Sequence, residues 1–242
     1  MGVLRLDKII SDSGSATRSE ARRLITSGRV WVDGKVEKSF DFKIDSESSE
    51  IRLDGKVISG GSLRYFMLYK PEGVVTATED KNQKTVLDLL PPELKRLELF
   101  PVGRLDKDTT GLLLLTNDGE FCHAVTSPKR HIKKLYEFTV EGVLESDDME
   151  EFKKGILLKD GTKCLPAELE IDENDHSHGF VTIYEGQYHQ VKRMLASRGK
   201  PVRTLKRVVV GDLSLGDELE PGEFRELTKS DLNLIINKNV TN

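Results

Sequence analysis

The 242-residue chain carries only two cysteines, Cys122 and Cys164. Two are too few for a disulfide framework or a cysteine-based metal site, and they suit a reducing compartment. No apolar run approaches 18 residues, so a membrane-spanning helix is not expected. The opening "MGVLRLDKIISDSG" has neither the apolar core nor the small-residue cleavage site of a secretory signal. Phosphate-cradling P-loops and dinucleotide fingerprints are missing too. What is left is an ordinary soluble composition, 37% hydrophobic and 32% charged, long enough for one or two domains in the cytoplasm.

A surplus of positive charge is also lacking: the net charge is −4. That average hides segregation. Residues 188–207, "YHQVKRMLASRGKPVRTLKR", hold seven Lys or Arg and no acid, and "KRHIKK" at 129–134 has five basic-type positions in six. Acids gather elsewhere, in "ESDDMEEF" and "LEIDENDH". A polyanion responds to the local field of a cleft rather than to total charge.

Residues 1–58 read as a small separate module. Leu6, Ile9 and Ile10 have helical spacing before Gly14. In "TRSEARRLITSG", Thr17 and Glu20 form a capping box, Ala21, Leu24 and Ile25 point inward, and Gly28 ends the helix. Arg18 and Arg22 share its outer face with Arg23 beside them, and a strand starts at Arg29; these arginines suit a phosphate backbone as well as solvent. Short strands follow, punctuated by "DG" at 33–34 and 54–55. "SGGS" opens a linker at 59–63, and a larger domain spans 64–235. In it, "YFMLYK", "GLLLLT", "KLYEFTVEG" and "HGFVTIYEG" read as strands, and "KTVLDLLPPELKRL", interrupted by its two prolines, and "YHQVKRMLASRG" as helical. The class is α+β with a mixed, largely antiparallel sheet.

The most chemically suggestive stretch is "GRLDKDTTGLLLLTNDG". Gly103 and Gly111 bracket a tight polar loop that runs into four leucines, a buried strand holding the loop at its entrance. Asp106 and Asp108 leave several chemistries open. They could hold a divalent cation, although Arg104 and Lys107 compete for their charge. They could act as a pair on a glycosidic bond, or one could react while the other braces the turn. Both could equally be turn residues. His176 and His178 among acids read as a surface loop, and Cys122 beside His123 as a pair facing opposite ways on a strand.

With "YFMLYKPEGVV", "TSPKRHIKKLYEFTVEG" and "EGQYHQVKRML", that stretch resembles the RsuA family of ribosomal pseudouridine synthases, and the first module resembles the alpha-L RNA-binding domain of ribosomal protein S-four. The resemblance runs from Leu6 to Leu227. It implies Asp106 as the catalytic carboxylate, Tyr136 as the aromatic packed on the target base, and Lys192 as the cation paired with the aspartate. It implies substrate-binding roles for Arg104, Arg193, Lys133 and Lys134, and for Arg18, Arg22, Arg23 and Arg29 of the first module. No metal or organic cofactor is implied.

The implied reaction breaks N1–C1′ of uridine, turns the uracil, and joins C5 to C1′. Asp106 must be ionised whether it adds to C1′ or takes the C2′ proton, and an ammonium within about 4–6 Å favours that state. The target base must leave its stack, at about a few kcal/mol. Similarity to small-subunit enzymes implies 16S rRNA in an assembling subunit as substrate, acted on by a monomer. A 23S rRNA enzyme and a non-catalytic ribosome-assembly factor are the alternatives.

Overall fold

The computed structural model describes residues 3–45, 49–58, 63–95 and 97–236. The chain divides into two compact units, Met1–Arg64 with Leu90–Leu99, and Tyr65–Leu89 with Phe100–Asn242. Residues 59–62 of the expected linker lie outside the described residues.

The first unit contains β1 (Leu4–Arg5), α1 (Leu6–Asp12), α2 (Arg18–Thr26), β2 (Val30–Val32), β3 (Lys35–Val36), β4 (Lys43–Ile44), β5 (Ile51–Leu53) and β6 (Lys56–Ile58). The capping box of α2 forms as its sequence predicts: Glu20 N–H donates to Thr17 Oγ1 and Thr17 N–H returns to Glu20 Oε2 at 2.9 Å. Both helices bury one face, with Leu6, Ile9, Ile10, Ala21 and Ile25 meeting Val30 and Ile51 of the sheet β3-β2-β5-β6. Asp33 and Gly34 both take positive φ, +49° and +79°, which gives the hairpin β2–β3 the backbone twist a two-residue turn needs. The helical stretch "KTVLDLLPPELKRL" is interrupted at its two prolines, as expected. It is a 3-10 turn at Val86–Leu89 and the single turn α3 (Pro92–Lys95), because Pro91 and Pro92 lack N–H donors and force the preceding backbone out of the helical region.

The second unit is built on β7 (Tyr65–Lys70), β8 (Phe100–Pro101), β9 (Thr110–Thr116), α4 (Gly119–Thr126), β10 (Lys134–Val140), α5 (Ser146–Lys154), β11 (Glu168–Ile171), β12 (His178–Ile183), α6 (Gln190–Ser197), β13 (Val202–Val210), β14 (Leu213–Ser214), β15 (Phe224–Glu226) and α7 (Lys229–Ile235). The main sheet runs β11-β12-β10-β13-β9-β7-β15, antiparallel except where β13 and β9 pair in parallel. Strand β9 is central, and Leu112 to Leu115 are buried on both faces, which explains an apolar run in place of alternation. Met67, Leu112 and Leu114 pack with Phe121 and Val125 of α4 and Val210 of β13. Strand β10 alternates as expected, with Tyr136, Phe138 and Val140 buried. Two local readings change. Cys122 and His123 lie on α4 rather than on a strand. His178 begins β12 and is held by Asp172 and Glu137, each at 3.1 Å, instead of lying in a surface loop.

Candidate active site

The loop between Gly103 and Gly111 is fixed mainly by hydrogen bonds to its own backbone. Lys70, at the end of β7, is fully buried and donates to the carbonyls of Pro71, Lys107 and Thr109 at 3.0, 3.2 and 2.8 Å. Burial pushes its pKa down to about 8, against the opposing pull of the Asp108 and Asp106 charges. Thr76 clamps Leu105 twice, its hydroxyl donating to the carbonyl at 2.7 Å and accepting from the N–H at 3.2 Å. Gly73 N–H reaches the Lys107 carbonyl at 2.8 Å. At Gly111 a side chain is impossible: with φ +102°, a Cβ would come 2.2 Å from the Arg207 carbonyl oxygen.

This loop lines a cleft of about 1070 Å³ whose opposite side is formed by β10, β13 and the turn into α6. There the Asp106 carboxylate lies between two side chains of that turn and helix. Lys192 Nζ is 3.1 Å from Oδ2, and His189 Nε2 is 3.3 Å from Oδ1. Lys192 also donates to Asp108. Burial of Lys192 works against its charge, but the hydrogen bonds to Asp108 and Asp106 outweigh it and raise its pKa. The same contact with Lys192 holds the Asp108 carboxyl below the usual range. His189 adopts left-handed φ (+48°) at the start of α6, and its ring stacks on exposed Tyr188 at 3.8 Å. Buried Glu185 braces this turn, accepting from Gln190 and Gln187 side chains and from Leu165 N–H at 2.7, 3.0 and 2.8 Å.

Of the residues singled out by sequence, Arg104, Asp106, Tyr136, Lys134 and Lys192 share the cleft. Arg193 instead pairs with Asp160 and donates to the Tyr188 carbonyl, and Lys133 pairs with Asp212 at 2.8 Å. In the first unit, Arg18 and Arg22 converge on buried Asp7 at 3.5 and 2.9 Å, Arg29 pairs with Asp54, and Arg23 is exposed. His189, Lys70 and Arg207 were missed as site residues. His189 had a signal, since it lies three residues before Lys192 and so shares its helix face. Among the described residues no three His, Cys, Asp or Glu side chains converge to hold a metal ion.

Chemically, the cleft offers a carboxylate kept near a cation and an imidazole, a buried aromatic face on Tyr136, and room for one nucleotide. Comparison with known proteins shows similarity over most of the chain. Residues 64–197 match the family model described as RNA pseudouridylate synthase, and residues 4–51 match the S4 domain. An uncharacterized RNA pseudouridine synthase of Bacillus subtilis (strain 168) is 43% identical over 96% of this chain and 98% of its own length. The ribosomal small subunit pseudouridine synthase A of Escherichia coli (strain K12) is 41% identical over 96% and 100%. A crystal structure of a pseudouridylate synthase superposes with a TM-score of 0.68 at 39% identity, covering 96% of this chain and all of that one.

Proposed function

Because the chain belongs to the RNA pseudouridylate synthase family, we propose that it isomerises one specific uridine of 16S rRNA, with Asp106 as the catalytic carboxylate. The observation that carries the site assignment is Asp106 on a pinned loop, between Lys192 and His189, in the cleft lined by Tyr136. The small-subunit substrate is supported by relatives of that name aligned over their whole length, at 43% identity in Vibrio parahaemolyticus and 41% in Escherichia coli.

The reaction needs little beyond these groups. Lys192, 3.1 Å from Asp106, holds the carboxylate that must attack C1′ or remove the C2′ proton. Tyr136, only 8% exposed, offers a flat surface for the flipped base, and the walls of the cleft keep the detached uracil beside C1′ while it turns. Arg104 is exposed at the cleft and suits the phosphates flanking the target. The S4-type unit anchors the RNA through its arginines, and the enzyme works as a cytoplasmic monomer on an assembling small subunit.

Tritium release from 16S rRNA labelled at uridine C5 tests this, with naked RNA, assembling small-subunit particles and 23S rRNA compared. Release near one equivalent from a small-subunit substrate, mapped to one position, is expected. Release from 23S rRNA alone would transfer the substrate to the large subunit. Asp106→Asn should keep folding and RNA affinity while turnover drops below detection; near-normal turnover would remove Asp106 from the catalytic role.

A further inference from the structure

Lys134 and Arg207 are two cations with only 9% and 4% of their surface exposed, on the cleft wall beside Tyr136. Sheet register puts them there. Tyr136 and Arg207 are direct cross-strand partners, Lys134 precedes Tyr136 by two residues, and all three side chains therefore share one face. Among the described residues each cation has only a backbone carbonyl as hydrogen-bond partner, Ile132 for Lys134 Nζ at 3.1 Å and Leu112 for Arg207 Nε at 2.8 Å. Among the described residues neither forms an ion pair with a carboxylate, although most other charged groups around the cleft do.

Two buried like charges without a counter-ion are costly unless something anionic arrives. Burial, and then the neighbouring Arg207 charge, push the Lys134 pKa down to about 8, as expected of a site short of negative charge. The phosphates of an RNA strand stay near the mouth of such a cleft, where exposed Arg104 and Lys107 lie, whereas the base goes to the wall carrying Tyr136.

We propose that Lys134 and Arg207 stabilise the negative charge that the uracil ring acquires when its N1–C1′ bond breaks. This rests on the pseudouridine synthase reading and adds to it the group that accepts the leaving base. The electron pair of the N1–C1′ bond departs with the ring and spreads over N1, O2 and O4, where the ammonium and guanidinium meet it. Rotation brings C5 to C1′, the ring returns an electron pair to form C5–C1′ and is then neutral, and the C5 proton is lost to a base while N1 takes up a proton, giving the neutral pseudouridine ring. Cations placed on the ring rather than on the ribose stabilise this charge-separated stage more than bound uridine, which is the condition for accelerating the step.

The first test needs no RNA. 5-Nitrouracil is a free ring whose nitro group makes it largely anionic near neutral pH, and its anion absorbs at longer wavelength. The protein should bind it at least about tenfold more tightly than uracil. It should lower the apparent pKa of the bound ring, seen in the absorbance titration, and inorganic phosphate should not displace it. Lys134→Met should abolish the preference with the fold intact by circular dichroism, and Lys134→Arg should keep it. In single-turnover assays on the RNA that the wild type modifies, Lys134→Met should lower kcat roughly a hundredfold with KM within about twofold, and Lys134→Arg should recover most of it. Equal binding of 5-nitrouracil and uracil by the wild type would overturn the proposal whatever the RNA substrate proves to be. So would a rise in KM at unchanged kcat with displacement by phosphate, which would make the pair a phosphate site. Failure of the wild type on every rRNA tested, with nitrouracil binding as expected, would count against the substrate assignment alone.

Discussion

Asp7 in the first unit and Lys192 in the second are each surrounded by opposite charges, and these two clusters are inverted. In the first unit a fully buried carboxylate, Asp7, gathers Arg5, Arg18 and Arg22 at 3.1, 3.5 and 2.9 Å, each arginine side chain still 37% to 52% exposed. Phe40 lies beneath Arg5 and Arg22, its ring centre 5.6 and 5.2 Å from them. In the second unit a single ammonium, Lys192, gathers Asp106 and Asp108, with His189 on the far side of Asp106. One acid among three bases leaves excess positive charge in a fixed, partly exposed array, a chemistry that suits phosphates. One base between two acids leaves an excess of carboxylate at the cleft.

Removing the central group should therefore have different consequences in the two places. Lys192→Met should produce the largest effect, a loss of roughly a hundredfold or more in kcat, because Asp106 and Asp108 of the same loop are then left without their shared cation. Lys192→Arg should restore part of it, and circular dichroism should show both variants folded. Retention of wild-type kcat in Lys192→Met would show that the inversion has no catalytic meaning.

Asp7→Asn should act on stability. Burial alone would raise the Asp7 pKa, but hydrogen bonds from Arg22 and Arg5 and the Arg18 charge reverse this and lower it. A carboxyl with a depressed folded pKa stabilises the fold above its unfolded value, near 3.8, and that stabilisation is lost as pH falls through the folded value. The variant should lose about 1–3 kcal/mol at neutral pH, less than a fully buried pair would cost because the arginines can hydrate. The difference from wild type in denaturant titrations should shrink below pH ~3.8. A gap that stayed constant down to acid pH would show that shape rather than charge holds the array.

How much of this could be read from the chain depended on whether the partners were near in sequence. The capping box at Thr17 and Glu20, the DG hairpins and the alternation through Tyr136 are local patterns, and they formed where expected. The leucine run of β9 was legible because only burial on both faces explains it. Lys70 was not: its three carbonyl partners include Lys107 and Thr109, and nothing in "YFMLYK" announces a strand end turned inward beneath a loop nearly forty residues away. Arg207 was read as part of a basic stretch suited to phosphates. Its period-two relation to buried Leu205 put it on the inner face, but basic composition masked that pattern. Asp7 was hidden for the opposite reason, since a lone acid in an apolar helix face gives no hint of the three arginines folded over it.

Asp108→Asn is the smallest change and sharpens the comparison most. Lys192 contacts both carboxylates, so geometry alone would let them act as a pair. Their surroundings differ: the Asp108 side chain is 66% exposed, against 27% for Asp106, and only Asp106 also faces His189. An exposed ion pair is weakened by water and salt, and an asparagine can still accept the Lys192 hydrogen bond through its amide oxygen. The substitution should cost about 0.2–1 kcal/mol of stability and less than about threefold in kcat. The stability lost should be largest above pH ~4 and fade in acid, since Lys192 holds the Asp108 carboxyl below its ordinary value of 3.8. If Asp108→Asn were instead as damaging as Asp106→Asn, the two carboxylates would be working together. The site would then be a two-acid centre sharing one lysine, and the asymmetry drawn from exposure and from His189 would have no catalytic consequence.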